Sequence, residues 1–193
     1  NNKNISEKLF DLISTRYSAN LFMINSLTKY LEIIQIIELL DSLTNSAPFT
    51  IRINSSSIAK TRLLRDFSSE ENPVNYGKLS PNAIVFQRRT PINQTQYYKK
   101  GFIEIQDEGS QIISFALNPA INSRILDACA GAGGKSLHMA DICNDSSEIL
   151  ACDIDNRKLN ELRKRQKRAG IKNIKTFHIS HKVDLQKKIE FNK

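Results

Sequence analysis

The chain has 193 residues, 40% hydrophobic and 25% charged, which excludes a disordered or fibrous polymer and suits one or two globular domains. Its formal net charge of +8 and pI near 9.4 favour a polyanionic partner, an argument about encounter rather than fold. Three cysteines, Cys129, Cys143 and Cys152, have neither C-x-x-C spacing nor an even count, so neither a disulfide framework nor a metal site is expected.

The most apolar stretch, Leu21 to Leu43, is interrupted by Lys29, Glu32, Glu38 and Asp41. No membrane span or secretory signal is expected, and a reducing cytoplasm is the expected compartment. Between residues 5 and 45, Leu27, Tyr30, Leu31, Ile34, Ile37 and Leu40 recur at helical spacing and predict two or more packed helices, a docking or spacer element. Ser46-Ala-Pro-Phe49 breaks that pattern. A short strand is expected at Ile51–Ile53, then a helix capped by Ser57 and carrying Ile58, Leu63, Leu64 and Phe67. Residues 72–81 read as a loop, and Ala83–Phe86 and Phe102–Ile105 as strands. A helix from Glu108 to Leu117 leads through Asn118-Pro119 into a region of alternating elements. Its strands are expected near 124–128, 148–152 and 174–179, with helices near 134–142, 156–169 and 181–189, which implies a parallel sheet.

Within that region, Asp127 to Ser136 reads DACAGAGGKS at a strand-to-helix junction. Glycines at 131, 133 and 134 let the backbone approach a ligand, and the helix that opens there presents free N–H groups to it. Two phosphate loops fail on spacing. A Walker loop requires glycine where Cys129 stands, and the dinucleotide fingerprint requires it where Ser136 stands. What fits is an acid, three residues and Gly-x-Gly, a layout that resembles the cofactor loop of methyltransferases that use S-adenosylmethionine. A second acid, Asp153, closes the next strand about 20 residues on, where a ribose diol would be bonded. A glycine-rich turn beside a capping aspartate is the alternative.

The wider context resembles one family. Asp127-Ala-Cys-Ala-Gly-Ala-Gly-Gly-Lys135 is similar to the D-x-C-A-A-P-G-G-K loop of Sun/Fmu-type, RsmB-like RNA cytosine-5 methyltransferases, with Gly131 and Ala132 in place of Ala-Pro. Gly101 to Gln111 resembles the family's G-F-x-x-x-Q-D-x-x-S-Q segment, Phe49 to Asn54 its P-x-x-L-R-V-N strand, and Ala151 to Leu159 its second motif. The resemblance runs from about residue 48 to the end of the sequence; beyond the helical extension that periodicity predicts over 1–46, it implies a small α/β RNA-recognition-like domain over 47–118 and the N-terminal half of a Rossmann-like cofactor domain over 119–193. It also implies methyl transfer to C5 of cytosine in RNA, most plausibly ribosomal. In that scheme Cys129, Ala130, Gly131, Ala132, Gly133, Gly134 and Lys135 hold the methionine part of S-adenosylmethionine. Asp153 holds its ribose, Asp127 anchors the loop, and Arg157 is a weaker candidate.

Two departures matter. The family's acid near the adenine is replaced by His178-Ile-Ser-His181. The family's two cysteine motifs, one supplying the thiolate that adds to cytosine C6 and makes C5 nucleophilic, do not occur before Lys193. Cys129 and Cys152 are unsuited to that role, so no catalytic residue is assigned and the chain is expected to be part of a longer protein. The helix 156–169 carries Arg157, Lys158, Arg163, Lys164, Arg165, Lys167 and Arg168 outward, a solvated face or an RNA-backbone contact. Tyr97-Tyr-Lys-Lys100 reads either as a base-stacking platform or as a loop with incidental tyrosines. His138, His178 and His181 read as structural. A non-catalytic RNA-binding fragment and a small-molecule methyltransferase remain open as rival classes.

Overall fold

Short amphipathic segments separated by breaks build the first part of the protein. The computed structural model describes residues 2–54 and 59–180. Helices α1 (Asn2–Tyr17), α2 (Leu21–Leu27) and α3 (Ile33–Thr44) bury Ile13, Ala19, Ile24, Ile36 and Leu40 together. The Asn20 side chain caps α2 by accepting from the Phe22 N–H, and Glu32 and Gln35 form a reciprocal capping box at the start of α3. The stretch 28–32 is not helical, so the periodicity expected through Tyr30 is split between two helices, and Tyr30 and Ile34 are exposed. The chain separates between Ala47 and Pro48 into two compact units, of which these helices form the first.

The second unit contains two sheets. Strands β1 (Phe49–Ile53), β2 (Val74–Tyr76), β3 (Ala83–Phe86) and β4 (Ile103–Ile105) form an antiparallel sheet in the order β2-β3-β1-β4. Strand β1 starts two residues earlier than expected because Phe49 pairs with Phe86. Strand β2 lies inside the segment read as a loop, where its three residues are too few to show an alternation in sequence. Ile51, Ile53, Leu63, Ile84, Phe86 and Ile103 make the core on one face. The helix on that face, α4, spans Lys60–Phe67 with Ala59 at its N-cap; the expected cap, Ser57, lies outside the described residues.

Short helix α5 (Gln96–Lys99) holds the Tyr97 and Tyr98 rings against the same core. Tyr97 donates to Asp66, and Arg168 stacks over the Tyr98 ring at 3.8 Å. Both rings are thus engaged within the fold, which fits the reading of these tyrosines as incidental rather than as a base-stacking platform.

Helix α6 (Glu108–Leu117), capped by Asp107, leads to the parallel sheet β5-β6-β7: β5 (Arg124–Asp127), β6 (Glu148–Asp153) and β7 (Ile174–His178). Helices α7 (Gly134–Ile142) and α8 (Asn156–Ala169) connect them, and Ile125, Leu137, Ala140, Ile149, Ala151, Leu162 and Ile174 form the core. The expected helix at 181–189 lies outside the described residues. No helix among the described residues is long and apolar enough to cross a membrane.

Candidate cofactor loop

Everything expected of Asp127–Lys135 depends on how β5 turns into α7. Asp127 ends β5, and its carboxylate accepts from the Ser136 hydroxyl at 2.6 Å, tying the strand end to the first turn of the helix. Ser136, which sequence spacing treated only as a missing glycine, is therefore the loop's inner brace, and it is fully buried. The Ala130 N–H donates to the Cys152 carbonyl at 2.8 Å and pins the loop to β6. Gly131 (φ 55°) and Gly133 (φ 84°) both occupy the left-handed region, which glycine adopts without steric cost. They differ in surroundings: a Cβ on Gly133 would strike the Leu162 side chain, whereas a Cβ on Gly131 would meet open space.

Asp153 holds the loop from the other side. Its Oδ2 accepts from the Gly131 N–H at 2.7 Å and its Oδ1 from the Asp155 N–H at 2.9 Å. The Asp155 N–H, with the Gly131 N–H adding to it, keeps the Asp153 carboxylate below the usual carboxylate range. A carboxylate oxygen accepts more than one hydrogen bond, so the group stays competent to receive hydroxyl donors.

Helical bonding in α7 starts at the Leu137 N–H on the Gly133 carbonyl, which leaves the Gly134, Lys135 and Ser136 N–H groups at the open end of the helix. Such an end attracts anionic groups. Lys135 lines a cleft of about 440 Å³ with Ile113, Leu117, Leu126, Asp127, Ala128 and Met139, beside β5, an outer strand of its sheet among the described residues. Cys129 is exposed in the loop, and Ala132 and Gly134 are half-buried. Arg157 bonds Asp155, the N-cap of its own helix, and is otherwise exposed. His178 meets the Ile154 carbonyl through Nε2 at 2.9 Å, and His181 lies outside the described residues.

Two of the basic residues expected outward on α8 point inward instead. Arg165 and Arg168 converge on Glu104 of β4, which is 1% exposed, and Arg165 also donates to the Ala132 carbonyl. Arg52 of β1 is buried beside them. Desolvation lowers its pKa to about 10, with Asp141 and Glu104 opposing, and it stays charged at neutral pH. Sequence reading missed this group because Arg165 and Arg168 lie 61 and 64 residues along the chain from Glu104. The only local hint is that Arg52 and Glu104 each interrupt an apolar strand.

Among the described residues, no cluster of three or more His, Cys, Asp or Glu side chains could hold a metal ion. A Rossmann-like sheet opening on a glycine loop, with an acid after each of its first two strands, is the fold that the resemblance to S-adenosylmethionine-dependent methyltransferases implied. The open space above Gly131 and the free helix end fit that cofactor.

Comparison with known proteins agrees. Residues 114–192 match the family described as 16S rRNA methyltransferase RsmB/F. The chain is 30% identical over 122 residues to a probable ribosomal RNA small subunit methyltransferase B of Bacillus subtilis, a match covering 63% of this chain and 27% of that protein. It is 28% identical over 170 residues to a 28S rRNA (cytosine-C(5))-methyltransferase of Mus musculus, covering 86% of this chain and 21% of that one. In fold it resembles a methyltransferase homolog protein from Pyrococcus horikoshii, with a TM-score of 0.78 and 22% identity over 90% of this chain and 58% of the other. The chain is similar to the Sun/Fmu-type, RsmB-like family over these stretches, and it spans about a quarter of the length of these curated relatives.

Proposed function

We propose that this chain forms the cofactor-binding part of an enzyme that transfers a methyl group from S-adenosylmethionine to C5 of a cytosine in RNA, and that the RNA is ribosomal. The observation that carries the reading is the loop itself. Asp153 fixes Gly131 in a turn whose outer side is open, directly ahead of the free N–H groups of α7.

In this reading the backbone from Cys129 to Lys135, including Ala130, Gly131, Ala132, Gly133 and Gly134, lies along the methionine part. The helix end and Lys135 meet its carboxylate. Asp153 accepts from the ribose hydroxyls, and Asp127 keeps the loop in place through Ser136. Arg157, engaged with Asp155, is the weaker candidate for a cofactor contact. When bound, the cofactor supplies an activated methyl group. The RNA assignment is supported by the ribosomal RNA activities named for the relatives and by the net charge of +8.

The test is calorimetric titration of S-adenosylmethionine into the protein and its Asp153→Asn variant. Losing a charge-assisted hydrogen bond to a ribose hydroxyl should weaken binding roughly tenfold or more. Unchanged affinity in the variant would remove Asp153 from the site, and absence of binding to the parent protein would overturn the cofactor assignment. Transfer of labelled methyl to ribosomal RNA by the intact protein, absent with a transcript lacking cytosine, tests the substrate.

A further inference from the structure

The antiparallel sheet meets the cofactor loop through charge. On β1, Ile51 and Ile53 face the apolar core, so Arg52 between them faces the other way, and it pairs in register with Glu104 on β4. Both side chains are essentially unexposed. Glu104 Oε2 accepts from Arg165 at 3.0 Å and its Oε1 from Arg168 at 2.5 Å. Arg165 and Arg168 are themselves only 14% and 18% exposed, so the pairs are formed away from water and are worth more than surface ones.

The guanidiniums do not end there. Arg165 Nη1 donates to the Ala132 carbonyl at 2.8 Å, and Arg52 Nη1 to the Gly134 carbonyl at 3.3 Å while its Nη2 donates to Asn54. Ala132 and Gly134 flank Gly133, the residue whose left-handed backbone starts α7. Two carbonyls on either side of the turn are thus gripped from one side, and the peptide N–H groups are left for the other.

We propose that Arg165 and Arg52, with Glu104 orienting Arg165, are positioning residues for the cofactor loop, so that the small antiparallel sheet is a working part of the cofactor site. A guanidinium is needed because it spans two acceptors in a fixed plane: Arg165 bonds Glu104 through Nε and Nη2 and Ala132 through Nη1. Lysine would keep the charge and lose that fork. Arg168 provides the internal comparison, because it shares Glu104 with Arg165 and stacks over Tyr98 but makes no described contact with the loop. The consequence for ligand affinity rests on the cofactor reading above; the consequence for the empty loop does not.

The experiment compares Arg165→Lys with Arg168→Lys in the intact protein. Hydrogen exchange is followed at the amides of Ala130, Gly133 and Leu137 without ligand, and S-adenosylmethionine is titrated separately. Arg165→Lys should speed exchange at those amides about tenfold and weaken the cofactor by a similar factor, the loss of one charge-assisted hydrogen bond. Arg168→Lys should leave both within about twofold of the parent. Equal effects of the two substitutions, or no loop-specific change in Arg165→Lys, would overturn the proposal. Should Arg165→Lys fail to fold, Arg52→Lys, which spares the Glu104 pairs, decides by the same exchange measurement. A parent protein that binds no S-adenosylmethionine would remove the cofactor reading, while the exchange difference would still decide the clamp.

Discussion

His138 sits in the middle of α7 with no exposure, its ring edge-on to Phe115 at 4.8 Å between centroids. Burial, and secondarily the charge of Arg52, push its pKa down to about 3. The folded protein therefore holds this ring neutral, whereas the unfolded chain takes up a proton near pH 6.5. The stability is present in full above pH 6.5 and is lost as pH falls from there towards 3. The slope is about 1.4 kcal/mol per pH unit, so roughly 2 kcal/mol should disappear between pH 6.5 and 5. Carboxylates held low by their partners, Asp66, Glu148 and Asp153, titrate below this window and add little within it. Urea unfolding at pH 7 and pH 5 measures the loss, and His138→Leu should flatten the slope. A His138→Leu protein as acid-sensitive as the parent would mean that other groups carry the effect.

Helix α8 shows at the scale of an element what sequence could and could not reveal. Its apolar stripe was legible: Leu159 and Leu162 are fully buried, as their spacing requires. Its seven cationic residues are chemically alike in the sequence, yet the fold divides them. Arg165 and Arg168 go to Glu104, Arg157 to Asp155, Lys164 to Glu161, and Arg163 to Asn160 and Thr176. No local pattern identifies Glu104 as a partner, because the pairing is decided by how β4 lies against α8. The same reason hid β2, which exists only by pairing with β3, and α5, whose tyrosines were visible but not the core they fill. The loop at 127–135 was legible because its geometry is local, fixed by glycines and by acids at strand ends. Lys158 and Lys167, with Arg163, are the exposed cations of α8 without a described ion pair, and Arg163 is held by Asn160 and Thr176. If α8 faces RNA, Lys158→Glu with Lys167→Glu should weaken RNA retention several-fold and reduce the dependence of log K on log salt by about 0.7 for each lost contact to a single strand. Filter binding across a salt series checks this. An unchanged slope would leave these lysines as a solvated surface.

At the scale of the molecule, the charge network makes the two sheets interdependent. Arg52 and Glu104 belong to one sheet, Arg165 and Arg168 to a helix of the other, and removing either side would leave buried charges unpaired, a cost of roughly 3–5 kcal/mol. The antiparallel sheet and the β5-β6-β7 sheet should therefore unfold together, even though each has its own apolar core. The α1–α3 unit differs, because its core of Ile13, Ala19, Ile24, Ile36 and Leu40 lies within residues 1–47, and the groups described above as shaping the cofactor loop all lie after Pro48. Residues 45–48 between the units are exposed and carry no helix or strand, the kind of segment a protease enters. Limited proteolysis should cut there and release a fragment beginning near Pro48. That fragment should keep the parent's S-adenosylmethionine affinity within about twofold and unfold in one transition, since the network and its core remain whole. A tenfold loss of affinity on cleavage would show that the helical unit contributes to the cofactor site. Two separate transitions in the fragment would show that the Arg52–Glu104–Arg165 network does not bind the sheets into one cooperative body.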